Sequence, residues 1–218
     1  NRDELKNYVT YCYLFSSREE RKIRLEGLTG NAVSAILEEN INGHLICAGY
    51  AQQGMFYYLL GEELKIVGQG IRGLPWVDHL HLKDIHVQKD GSLIVIGEQY
   101  TFIKDDLIDS DGEAYTSYRN QYGSVLVSKI TEKGQFNWVK SIPKKQIHQQ
   151  LKPMPSYLGS MSYKYLHLDG EHVFLYLDSR LNKGLPLENS INGYDVNKAG
   201  VLTSVTIDDS TGDIKKSI

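Results

Sequence analysis

The stretch Asp90-Gly91-Ser92-Leu93-Ile94-Val95-Ile96-Gly97-Glu98 decides the reading of the fold. It follows the alternating run Leu82 to Val87, and an Asp-Gly pair between two such runs is the strongest short-range signal of a β-hairpin. The same polar turn and apolar strand occur at Asn42-Gly43-His44-Leu45-Ile46-Cys47-Ala48-Gly49-Tyr50, after Ala32 to Glu38. They occur again at Asp169-Gly170-Glu171-His172-Val173-Phe174-Leu175-Tyr176-Leu177-Asp178, after Tyr163 to Leu168. The run Asn31 to Asn40 has enough apolar residues for a short helix, but its place before the Gly43 turn makes it a strand.

Outward from these inner hairpins lies a second type. It pairs Tyr11 to Phe15 with Lys22 to Leu25, Met55 to Leu60 with Leu64 to Val67, Ser124 to Ile130 with Gln135 to Val139, and Val201 to Ile207 with Asp213 to Lys215. An inner hairpin followed by an outer one is a four-stranded antiparallel meander, the unit of a propeller blade. One meander cannot bury both faces, whereas stacked meanders bury them against each other. The expected fold is therefore all-β: a propeller-like array of three full blades and a leading half-blade, forming one domain over residues 1–218. The turn glycines are unevenly spaced, with Gly91 and Gly170 much further apart than Gly43 and Gly91. Two insertions fill the gap, the acidic segment Lys104 to Gln121 and the Pro-containing segment Pro143 to Ser160. Both are expected to be excursions outside the sheets.

Composition narrows the function classes. A formal net charge of −3 leaves no basic excess to hold nucleic acid or an anionic membrane. No run reaches the length of a membrane span. The 15 tyrosines suit half-buried pleated surfaces, where the ring packs and the hydroxyl stays wet. Cys12 and Cys47 each sit in an apolar run and are expected to be small core residues rather than a disulfide framework. A chain that opens at Asn1 with no signal peptide reads as a processed or excised piece of a longer protein.

The pattern Gly91-Ser92-Leu93-Ile94-Val95-Ile96-Gly97-Glu98, then Ser124-Val125-Leu126-Val127-Ser128-Lys129-Ile130 with Gly134 and Trp138, resembles bacterial β-propeller repeat proteins. The resemblance is to uncharacterised secreted or surface propellers of Bacteroidetes-type bacteria. It implies a secreted, periplasmic or cell-surface location and brings no catalytic residues with it.

Four groups of residues carry candidate chemistry. His79 and His81, on a strand, would project from one face at a spacing used by some metal sites, but no further ligands are fixed. In Asp105-Asp106-Leu107-Ile108-Asp109-Ser110-Asp111-Gly112-Glu113 the acidic spacing suggests calcium, yet the first and last positions of the EF-hand pattern fall on Leu107 and Tyr118. Lys144-Lys145 with Gln146 reads as a solvated loop. Aligning Leu45, Leu93 and Val173 places Tyr50, Glu98 and Asp178 at equivalent strand ends, toward one rim of a propeller channel. These three are the candidate binding residues.

The sequence supplies no complete catalytic set, metal site or cofactor motif. The expected function is a non-catalytic binding or scaffold module that contacts a protein or a glycan, with no nucleic-acid partner. The alternatives are a carbohydrate-active hydrolase with Glu98 and Asp178 as its acids, or a purely structural segment of a surface protein.

Overall fold

The computed structural model describes residues 10–15, 20–25, 27–28, 32–39, 42–52, 54–74, 79–150, 161–190 and 192–218. Their regular structure is strand, with three short 3-10 turns and no α-helix. No helix among them is long and apolar enough to cross a membrane.

The strands follow the hairpins expected from sequence. β1 (Thr10–Phe15) and β2 (Glu20–Leu25) form a two-stranded antiparallel hairpin. β3 (Ala32–Glu39), β4 (Leu45–Ala51), β5 (Gly54–Leu60) and β6 (Ile66–Gly73) form a four-stranded meander in chain order. Ala32–Glu39 is thus a strand, paired with β4 from Ala32↔Ala51 to Glu39↔Leu45.

Next come β7 (Leu80–Val87), β8 (Leu93–Ile108), β9 (Ala114–Ile130), β10 (Phe136–Ile142) and β11 (Gln146–Gln150). They lie in one sheet, in which β9 pairs with β8, β10 and β11. The chain ends with β12 (Lys164–Leu168), β13 (Glu171–Ser179), the two-residue β14 (Tyr194–Asp195), β15 (Gly200–Asp208) and β16 (Ile214–Ser217). Of these, β12-β13-β15-β16 form a second four-stranded antiparallel sheet, while β14 runs parallel to β11.

The turns have local causes. Asp169 (φ 48) and Gly170 (φ 80) both lie in the left-handed region, the requirement of a two-residue hairpin turn whose twist matches its strands. At Asp90 the carboxylate accepts from the Ser92 amide at 3.0 Å, and Gly91 (φ 79) takes the left-handed position that lets the strand restart.

Two expectations fail here. Lys104 to Gln121 is not a loop outside the sheets; β8 and β9 extend through it, joined by a short turn at Asp109 to Glu113. The acidic residues suggested a loop, but Phe102 and Ile103 before them and Tyr115 and Tyr118 after them suit strands. The second expected insertion, Pro143 to Ser160, also enters the sheet, since Gln146–Gln150 is β11 and pairs with β9; its residues 151–160, including Pro153 and Pro155, lie outside the described residues.

The chain divides into two compact units, Asn1–Gly97 with Ser128–Asn137 and Glu98–Val127 with Trp138–Ile218; β8 and β9 run through both. In the first unit β4 and β5 are central strands, buried on both faces. Leu25, Leu28, Cys47, Ala51, Phe56, Tyr58 and Leu60 form one apolar cluster there. The Cys12 side chain is outside the described residues. Burying each of the larger side chains contributes about 1.5–3 kcal/mol. In the second unit β13 alternates strictly: His172, Phe174, Tyr176 and Asp178 are buried, and the residues between them are more exposed.

Candidate functional site

The polar interior of the second unit begins with a period-two pattern that continues past a proline. Ile142, Lys144, Gln146 and His148 are buried, while Lys145 between them is exposed. Lys144 is therefore an inward-facing residue, not part of a solvated loop as its sequence suggested. A buried ammonium needs a counter-charge. Lys144 Nζ finds it 2.7 Å away at Glu98 Oε1, and neither side chain has any solvent exposure.

Neutral partners complete the pair. Gln146 Oε1 accepts from Lys144 Nζ at 3.1 Å and from the Ser162 amide at 2.6 Å. The Ser162 hydroxyl donates to Glu98 Oε2 at 2.6 Å. Ser162 has φ 67, and both of its groups converge on this network. The Tyr122 ring lies 5.7 Å from the ammonium, adding a cation–π contact.

Gln146 Nε2 donates to the Leu177 carbonyl at 2.9 Å, which leads to Asp178. Asp178 Oδ1 accepts from the Ser179 amide at 2.8 Å and from Asn182 Nδ2 at 2.7 Å. Its other oxygen faces Lys216 Nζ at 3.6 Å. Lys216 in turn donates to the Asn182 carbonyl at 3.1 Å and the Ser190 hydroxyl at 2.5 Å. Asn182 also exchanges hydrogen bonds with Asn192, so one fully buried amide fixes the excursion between β13 and β15.

Tyr176 and Thr203 are cross-strand partners on the face that carries Asp178. Their hydroxyls are buried with no hydrogen-bond partner among the described residues. Burial first, and the Asp178 carboxylate second, push the Tyr176 phenol above its ordinary pKa.

The face of β8 and β9 that carries Glu98 and Tyr122 continues outward. Tyr100 and Tyr122 have ring centroids 4.9 Å apart, and the Tyr100 hydroxyl donates to Asn120 Oδ1 at 2.8 Å. Further out, Phe102 and Tyr118 are nearly parallel, 22° and 6.1 Å apart, with Phe102 49% exposed. β11 borders this face, with His148 opposite Asn120 and Gln150 opposite Tyr118. His148 Nδ1 and both amide atoms of Gln150 are shielded from solvent and have no hydrogen-bond partner among the described residues. Leaving such groups unmet costs about 1–3 kcal/mol each.

Of the three residues singled out from sequence, Glu98 and Asp178 lie in the second unit, in two hydrogen-bonded groups joined through the Leu177 backbone, with Glu98 inside β8 and not at a strand end. Tyr50 belongs to the first unit, where it is fully buried against Gly97. Burial raises its phenol pKa, and the hydroxyl has no partner among the described residues.

The remaining expectations resolve simply. His79 precedes β7, in a turn with φ 61, so it does not share a strand with His81. His81 has its pKa lowered, by burial first and then by Lys83 and His79. Asp109 Oδ1 accepts the amides of Asp111 and Glu113, each at 2.9 Å, and so serves its own turn. No cluster of three or more His, Cys, Asp or Glu residues suited to a metal occurs among the described residues.

Sequence reasoning missed Lys144, Gln146, His148, Ser162, Asn182 and Lys216. For the first three the signal was present, as alternation running from Ile142 to His148. Comparison with known proteins finds no matching family model, no similar curated protein and no matching solved structure.

Proposed function

We propose that this chain is a non-catalytic binding or scaffold module, and that its meanders are blades of a propeller-like array. The antiparallel meanders and the leading hairpin support the array, since each is the expected blade unit. A secreted or surface location belongs to the same proposal and rests on the sequence resemblance alone.

The observation that carries the non-catalytic reading is the state of the two carboxylates. A glycosidase needs one carboxyl group able to give up a proton at the scissile bond and a second facing the sugar or a water. Glu98 is sealed against Lys144 and Ser162, and Asp178 is held by Ser179, Asn182 and Lys216. Both carboxylates are buried and ion-paired within the protein, to Lys144 and to Lys216.

The test pairs a turnover screen with a binding screen. Wild-type protein and Glu98→Gln, each shown to be folded by circular dichroism, are assayed on a broad panel of glycosides, and wild type is applied to glycan and protein arrays. The expected result is no turnover and saturable retention on one array. Turnover of any glycoside by wild type, lost in folded Glu98→Gln, would overturn the reading in favour of a hydrolase.

A further inference from the structure

We infer that the outer face of the β8–β9–β11 sheet, built from Phe102, Tyr118, Asn120, His148 and Gln150, is a binding site for an uncharged glycan. This rests on the binding-module reading and gives it a place and a ligand class.

Three observations converge on it. The first is the Phe102–Tyr118 pair, where a phenylalanine on a strand remains 49% exposed beside a near-parallel ring. Sugar rings present flat C–H faces, and an exposed aromatic face is the surface on which they stack. The second is the set of unmet polar groups beside those rings. His148 is only 8% exposed, yet its Nδ1 lacks a partner, and the Gln150 amide has a donor and an acceptor both unmet among the described residues. Buried polar groups are normally paired, so unpaired ones call for an occupant that brings its own donors and acceptors. Sugar hydroxyls are both, and an amide beside an imidazole matches adjacent hydroxyls on one ring. Few polar groups around an aromatic floor is also the usual make-up of a small-ligand site.

The third observation sets the charge of the ligand. From Glu98 to Val127 there are six carboxylate residues and two cations. The cations are matched: Lys104 lies 3.8 Å from Asp106, and Arg119 lies 3.8 Å from Asp105. Lys144, at the inner end, is taken by Glu98. The acidic excess repels a sulfated or carboxylated chain, and among the described residues Lys104, Arg119 and Lys144 each already face a carboxylate. A protein partner is the weaker candidate, because stable protein interfaces bury on the order of 1,000 Å² or more with a continuous apolar centre. Here two rings are bordered by Lys104, Asp106 and Gln150.

The test titrates the full chain with neutral hexasaccharides of the glucan, mannan, xylan and galactan series, and with two anionic ones, an oligogalacturonate and a heparin hexasaccharide, at low and high salt. Calorimetry is expected to show saturable binding of at least one neutral sugar, nearly independent of salt. Phe102→Ala, Tyr118→Ala and Gln150→Ala should each weaken it by about tenfold, equivalent to about 1.4 kcal/mol. Tyr115→Ala, exposed on the opposite face of the hairpin, should leave it unchanged.

Anionic sugars binding as tightly as neutral ones at low salt would overturn the charge assignment and leave the binding module standing. Neutral-sugar binding indifferent to Phe102→Ala and Tyr118→Ala would overturn the site. Retention on a protein array with no sugar bound would overturn the glycan class alone. Failure to bind either class would sink the binding-module reading and this inference with it.

Discussion

Tyr50 on β4 and Glu98 on β8 stand the same number of residues beyond their turn glycines, Gly43 and Gly91, and both are fully buried. Each unit fills that position differently. In the first unit a ring packs against glycine, and its hydroxyl goes without a partner among the described residues. In the second, a carboxylate is met by an ammonium, a hydroxyl and, through Gln146, the main chain of a neighbouring strand. A ring at such a position needs only space. A charge needs partners fixed in direction as well as distance, because its desolvation is offset only when its hydrogen bonds are met. Strand pattern alone sets which residues face inward; chemistry decides how many others must be held in place to keep them there.

The contrast is sharpest for Lys144. Replacing it with methionine keeps most of the packing volume but leaves the Glu98 carboxylate buried without its counter-charge. Breaking a buried pair from one side costs about 3–5 kcal/mol. The double variant Glu98→Gln/Lys144→Met, with no charge left to bury, should recover most of that loss. Urea denaturation of the three proteins measures both quantities. A single variant that loses less than about 1 kcal/mol would place Lys144 and Glu98 in contact with water, and the two units would no longer differ in kind.

The same contrast explains what could be read from the sequence. The hairpins were legible because Asp-Gly and Asn-Gly turns and two-residue alternation are local: every inner hairpin, and Ala32–Glu39 as a strand, follows from them. That Glu98 and Asp178 lie on strands that follow a turn was also legible, from their register. Their partners were not. Lys144 follows a proline in a Lys-Lys pair, and a charged pair beside proline reads as solvent-facing until a carboxylate is known to lie opposite. Ser162 and Lys216 reach the network across long sequence separations that no local pattern encodes, and Asn182, four residues past Asp178, does so from a 3-10 turn after β13. The β8–β9 extension was hidden by composition, because five acidic residues between Asp105 and Glu113 look like a loop.

The Tyr50 side of the comparison is tested by overpacking. A β-carbon added to Gly97 would lie 2.5 Å from Tyr50 Cε2 and 2.6 Å from its hydroxyl oxygen. The ring is fully buried, so it has little room to move aside. Gly97→Ala should cost about 1–3 kcal/mol, the range for adding carbon to a filled core. Combined with Tyr50→Leu, which removes the ring from the contact, the loss should fall well short of the sum of the two single variants. Thermal or urea unfolding of all four proteins gives the coupling. Additive losses would mean that ring and glycine are not in contact.

Asp208 provides the smallest effect and a third way of meeting a carboxylate, at a surface turn. At the turn between β15 and β16 its Oδ1 accepts from the Ser210 amide at 3.0 Å and hydroxyl at 2.7 Å, and from the Thr211 amide at 2.8 Å and hydroxyl at 3.1 Å. These bonds, the Ser210 hydroxyl foremost, lower its pKa from 3.8 to about 2. Because the folded-state value is the lower one, the stabilisation is present in full above about pH 4 and is lost as pH falls toward about 2. Asp208→Asn keeps an acceptor oxygen but has no proton to take up in that window. The difference in melting temperature between wild type and variant should therefore shrink steadily on acidification from about pH 5 to about pH 2. A difference that stays flat across that range would show that the turn holds Asp208 by geometry alone, without regard to its charge. The contrast with Glu98 would then rest on burial, since only the buried carboxylate would depend on being ionised.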